Sequence, residues 1–218
     1  MNKNTKKLVV SAVMLALATI LSMIKLWEMP WGGSITLFSM LPIIIVGFMY
    51  GTKWGVLTAL TGALLQMLLG ATMSQAFAGL DGMSVVYMAF LDYIVAFTVL
   101  GLGGIFKKCV KNSYLALILG VVVAVMLRYV AHFASGAILW GGYAEWFFSD
   151  PEAFMAVAPE LCKSVLENFS GNGLACVYSL IYNGCYMIPE LVITLIGAVA
   201  VYAAKPLRKL IGVSSSNQ

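Results

Sequence analysis

The stretch YLALILGVVVAVMLRYVAHFASGAILW, residues 114–140, decides how the chain is read. Its first half is almost purely apolar and long enough to sit in a bilayer core, which takes about 20 residues of helix. Its second half carries Arg128, His132, Gly136 and Trp140, each four residues after the last. A step of four turns a helix about 40° past a full turn, so these residues form one gently winding ridge. A cation inside hydrocarbon costs on the order of 2.5–3.5 kcal/mol on insertion scales, so Arg128 needs a partner, a cavity or a ligand.

The rest of the chain has the same character. Of its 218 residues, 61% are hydrophobic and only 10% charged, with mean hydropathy +0.95. Soluble domains are roughly 25% charged, so a soluble enzyme and a disordered chain are both excluded. The net charge of +4 is too small and too scattered for nucleic acid binding. Four cysteines without a Cys-x-x-Cys spacing suggest neither a disulfide framework nor a metal site.

Six candidate spans follow: Leu8 to Ile24, Thr36 to Tyr50, Trp54 to Gly70, Val85 to Phe106, Tyr114 to Trp140, and Leu174 to Ala204. The second and third are short. A cleaved leader would carry its Ala-x-Ala after the apolar run. Here Ala16-Leu17-Ala18 lies inside the first run, and we read a retained helix. Ten of the 13 Lys and Arg residues fall on one side: the N-terminus, Lys53, the Lys107-Lys108-Lys111 loop and the C-terminal Lys205, Arg208 and Lys209. The positive-inside rule then puts both termini in the cytoplasm. The fold class is an all-α integral membrane protein of six helices. Residues 1–210 form one membrane domain, 145–172 a long outer loop, and 211–218 a disordered tail. Within the outer loop, Ser149-Asp150-Pro151-Glu152 reads as the start of a short amphipathic helix, and Gly171-Asn172-Gly173 as a turn. No internal repeat points to an inverted-repeat transporter.

Asp92 and Glu190 are the other two charges inside spans. Counting 1.5 Å per residue, Asp92 lies roughly 10–12 Å below the outer face, at a level reached by Arg128, Tyr178 and Asn183. That convergence suggests a pocket open outward and closed below. Asp92 and Arg128 could instead be a structural ion pair, His132 a packing residue, Gly136 a helix-packing notch, and Trp27, Trp31 and Trp140 an interfacial belt. Glu190, after Pro189, is placed deep toward the cytoplasm without an assigned role. No Gly-x-Ser-x-Gly and no second histidine support an intramembrane enzyme built on Ser135 or Ser179.

Residues 127–144, with Ala89-Phe90-Leu91-Asp92-Tyr93 and Tyr178-Ser179-Leu180-Ile181-Tyr182-Asn183-Gly184, resemble thiamine-specific S components of energy-coupling factor (ECF) transporters. The resemblance implies a non-enzymatic, multi-pass subunit of the bacterial cytoplasmic membrane. Such a subunit captures thiamine from outside and delivers it through a transmembrane T subunit and two cytoplasmic ATPases. It implies binding residues Trp31, Asp92, Tyr93, Arg128, His132, Gly136, Trp140, Tyr178 and Asn183, and docking of the partner on Ala12 and Ala16. Trp27 is the alternative to Trp31. No catalytic residue, metal or cofactor is implied, and ATP is used only by the partners, since the chain lacks a phosphate-binding Gly-x-x-x-x-Gly-Lys-[Ser/Thr] loop. The chemistry fits: thiamine is a cation with two aromatic rings, which Trp31, Trp140 and His132 can stack on. Asp92 supplies negative charge, and Tyr178 and Asn183 can read an aminopyrimidine edge. The chain departs from the family pattern in having Asp92 for glutamate and Arg128 for lysine. Its long loop from Glu145 to Gly173 is a candidate lid.

Overall fold

The computed structural model describes residues 2–30 and 32–212. Its helices are α1 (Lys3–Met23), α2 (Leu41–Tyr50), α3 (Thr52–Thr72), α4 (Gly82–Gly104), α5 (Ser113–Leu139), α6 (Ala144–Ser149), α7 (Pro159–Asn168), α8 (Gly171–Ala203) and α9 (Lys205–Leu210). Among the described residues five of them, α1, α3, α4, α5 and α8, are long and apolar enough to cross a membrane. The second expected span is different. Only its C-terminal part, α2, is helical, and at ten residues it is too short to cross alone. Ser34–Thr36 is a strand and Phe38 has φ +61°, so the chain cannot continue a helix backward from Leu41. The third span, by contrast, is a full 21 residues.

Local chemistry sets the ends. Asn2, Asp81 and Asn112 accept hydrogen bonds from the first free N–H groups of α1, α4 and α5. Pro42 sits in the first turn of α2, and Gly51 at φ +89° turns the chain straight from α2 into α3. The outer loop corrects the expectation drawn from Ser149. That residue ends α6, and the amphipathic helix starts at Pro159 with Glu160 in its first turn. Gly171 to Gly173 open α8 and do not form a free turn. In the expected tail, Ile211 is buried; residues 213–218 lie outside the described part.

α2 is wrapped by the other helices, with Ile44, Val46 and Phe48 fully buried. Around it the backbones touch. A Cβ on Gly47 or Gly55 would lie 2.3 Å from the Gly101 carbonyl oxygen. One on Gly103 would lie 2.3 Å from that of Ile44, and one on Gly120 2.2 Å from that of Gly103. Side chains of any size are excluded there, and α2, α3, α4 and α5 close into a dry seam. Within α4 the winding tightens to a 3₁₀ helix over Val99–Gly104, where it meets the seam. It loosens to a π-helix over Ala89–Val95. At the far end of the molecule the helices part, and a short antiparallel hairpin, β1 (Lys25–Glu28) with β2 (Ser34–Thr36), covers the gap.

Candidate functional site

Where the helices part they leave a cavity of about 470 Å³, in the size range of small-molecule sites. The hairpin, the ends of α1 and α3, and the faces of α4, α5 and α8 line it. Asp92 and Tyr93 both reach it from the π-wound segment of α4. π-bulges concentrate at functional sites, because the extra residue per turn re-aims neighbouring side chains. Tyr93 lies against Gly70, where a Cβ would sit 2.0 Å from its hydroxyl, and its ring stacks on Phe97.

The ridge on α5 faces the cavity along its length: Arg128, His132, Gly136 and Trp140 all line it. Arg128 and Asp92 are not a direct ion pair. His132 stands between them. Its Nε2 accepts from Arg128 Nε at 3.2 Å, and its Nδ1 lies 2.7 Å from Asp92 Oδ1. Because a guanidinium can only donate, this arrangement places the imidazole proton on Nδ1, aimed at Asp92. Ser135 Oγ donates to the other Asp92 oxygen at 2.5 Å. The guanidinium lies 4.2 Å over the Phe97 ring, a cation–π contact that offsets its lost hydration.

On α8, Tyr178, Tyr182, Asn183, Tyr186 and Glu190 line the cavity. Asn183 spends its amide on the protein: Nδ2 donates to the carbonyls of Ser179 at 2.9 Å and His132 at 3.3 Å, and Oδ1 accepts from Tyr186 at 2.6 Å. Gly136 is the notch that admits these groups, since a Cβ there would fall 2.3 Å from Ser179 Oγ. Its small size therefore serves the packing of α5 on α8, as well as leaving room in the cavity.

The remaining sequence-derived residues divide clearly. Trp31 lies outside the described residues. Its alternative, Trp27, is 65% exposed on β1 and does not line the cavity. Ala12 and Ala16 sit exposed on one face of α1, while Ser11 and Ala18 turn inward. The long loop is no lid. Phe147 packs behind Tyr178 and Tyr182, with ring centroids 5.2 and 5.9 Å away, and no residue from 145 to 172 lines the cavity. The cover is the hairpin, whose Gly32 carbonyl accepts from Tyr182 at 3.0 Å.

Sequence reasoning missed Glu190 as a cavity residue. It is 3% exposed, and its Oε1 accepts from both Thr36 N (2.5 Å) and Thr36 Oγ1 (2.6 Å). The signal was the spacing Ser179, Asn183, Tyr186, Glu190, which keeps one helix face. Axial depth alone had hidden it. Among the described residues the charged groups of the lining are Lys25, Glu28, Asp92, Arg128 and Glu190, with Lys25 and Glu28 paired at the rim. Three carboxylates against two cations give the cavity a formal charge of −1. No cluster of metal-ligating side chains occurs among the described residues. The arrangement suits a flat, singly charged organic cation.

Comparison with known proteins bears on which cation. The family described as thiamine transporter protein matches residues 8–147. The chain is 31% identical over 216 residues to the thiamine transporter ThiT of Bacillus subtilis strain 168, covering 94% of each protein. In three dimensions it resembles a solved structure of ThiT from Listeria monocytogenes, with TM-score 0.68 and 21% identity, over 96% of this chain and 99% of that one. That likeness shows the fold.

Proposed function

The chain belongs to the thiamine transporter protein family, and from that premise we propose that this multi-pass membrane protein is the thiamine-binding S component of an ECF-type uptake system. The observation that carries the reading is the cavity in which Asp92, His132, Arg128 and Trp140 converge and whose whole lining, Glu190 included, has a formal charge of −1. The thiazolium cation is drawn by the carboxylates, whose attraction strengthens in a space with little water. The Trp140 ring and the tyrosines of α8 offer faces for the two heterocycles. Asp92 is fixed by His132 and Ser135, so its charge is held in place before the ligand arrives.

Binding proceeds from the outer side of the bacterial cytoplasmic membrane, with both termini inside, where the lysines collect. The exposed small-residue face of α1, with Ala12 and Ala16, is the docking surface for a transmembrane partner that couples to two ATPases. Energy for transport comes from those partners.

Calorimetric titration of the purified protein with thiamine tests the reading. Saturable one-to-one binding is expected, unaffected by excess riboflavin or biotin. Absence of thiamine binding, or displacement by either competitor, would contradict it. Vesicles holding this chain alone should bind thiamine without accumulating it, and accumulation there would remove the need for partners.

A further inference from the structure

Three buried side-chain oxygens lack a hydrogen-bond partner among the described residues: Tyr50 Oη, Thr98 Oγ1 and Glu190 Oε2. Only the last belongs to a residue lining the cavity. Both oxygens of Asp92 are already engaged, by His132 and Ser135. Glu190 is engaged on one side only: its Oε1 takes both Thr36 bonds, and these orient the carboxylate. A buried carboxylate oxygen without a donor is costly, and this one leaves part of the Glu190 charge uncompensated in the wall of the cavity, where a bound cation would offset it.

Accordingly, we propose that Glu190 is a specificity-determining residue whose negative charge, set in the cavity wall, attracts the bound cation and selects for its positive charge. This rests on the thiamine reading above and deepens it. Arg128 interacts electrostatically with both Asp92 and Glu190. Asp92 alone would only neutralise Arg128. Glu190 is the charge that turns the inner cavity negative, and so makes a cation preferable to a neutral ring of the same shape. Thr36 links this group to the hairpin that covers the cavity.

The alternative role is a structural latch, fastening β2 to α8. The two roles separate in a paired measurement on the full-length protein. Dissociation constants are measured for thiamine and for its neutral analogue, in which a thiophene replaces the thiazolium. Glu190→Gln keeps the Thr36 bonds through its amide oxygen but removes the charge. Thiamine should then bind about tenfold more weakly or worse, while the thiophene analogue changes by less than about threefold. Glu190→Met, of similar volume, gives the same selective loss and is read if the glutamine variant does not fold. Equal losses for both ligands, or no loss for either, overturn the proposal while leaving thiamine binding intact. If the unaltered protein binds neither compound, the underlying thiamine reading fails and this inference with it.

Discussion

The two ends of α4 solve opposite problems. Over Val99–Gly104 the helix tightens and presents glycine backbone to glycine backbone, with no room for a side chain. Over Ala89–Val95 it widens and turns an acid and a tyrosine into a cavity. One region gains its stability from close approach and excludes everything. The other leaves space and retains costly polar groups that hydrocarbon disfavours. The lesson is that the dry seam is what allows the open end to exist: the seam holds α2, α3, α4 and α5 together without help from the cavity side chains.

Substitutions should therefore split into two classes. The largest expected effect is at the seam. Gly101→Ala would place a Cβ 2.4 Å from Gly55 backbone, with backbone on either side unable to yield. We expect a loss of about 3 kcal/mol or more, seen as a large fall in melting temperature in detergent. Any protein that still folds should bind thiamine normally. A variant with unchanged melting would break the contrast at its stronger end.

Next comes Asp92→Asn. The thiamine dissociation constant should rise roughly 100-fold, from loss of a fixed charge in a site of low dielectric. The ligand-free protein should melt within a few degrees of the original. A collapse in stability with little change in affinity would make Asp92 a structural partner of His132 and nothing more. Trp140→Ala should weaken binding by about tenfold, consistent with loss of a stacking and cation–π face. The smallest effect is expected at Asp81, which caps α4 through Met83 and Ser84 at 2.9 and 3.1 Å. Asp81→Ala should cost about 1 kcal/mol of stability, with no change in affinity.

One of these regions is far more legible in the sequence than the other. Charge in an apolar span is visible to simple inspection, which is enough to single out Asp92 and Arg128, with His132 one turn away. The ridge on α5 follows from four-residue spacing. The seam is invisible, because a glycine that touches another helix reads like a glycine that does not. The π-winding around Asp92 is equally hidden, since hydropathy carries no information on which carbonyl an amide will choose. The hairpin escapes because its first strand, Lys25–Glu28, is exposed throughout and has no alternating pattern. That omission has consequences: it stretches the second span to Thr36, and it assigns the cover to the long loop. Glu190 is misplaced for a related reason. Its partner, Thr36, is 154 positions away and belongs to the unrecognised hairpin.

The most direct test is a structure of the protein with thiamine bound. The account predicts ligand density in the cavity between α4, α5 and α8, with a ring against Trp140 and the cation within reach of Asp92 and Glu190. The glycine seam should be unchanged from the ligand-free protein. Thiamine found outside this cavity, or seated within it with both carboxylates turned away, would contradict the account.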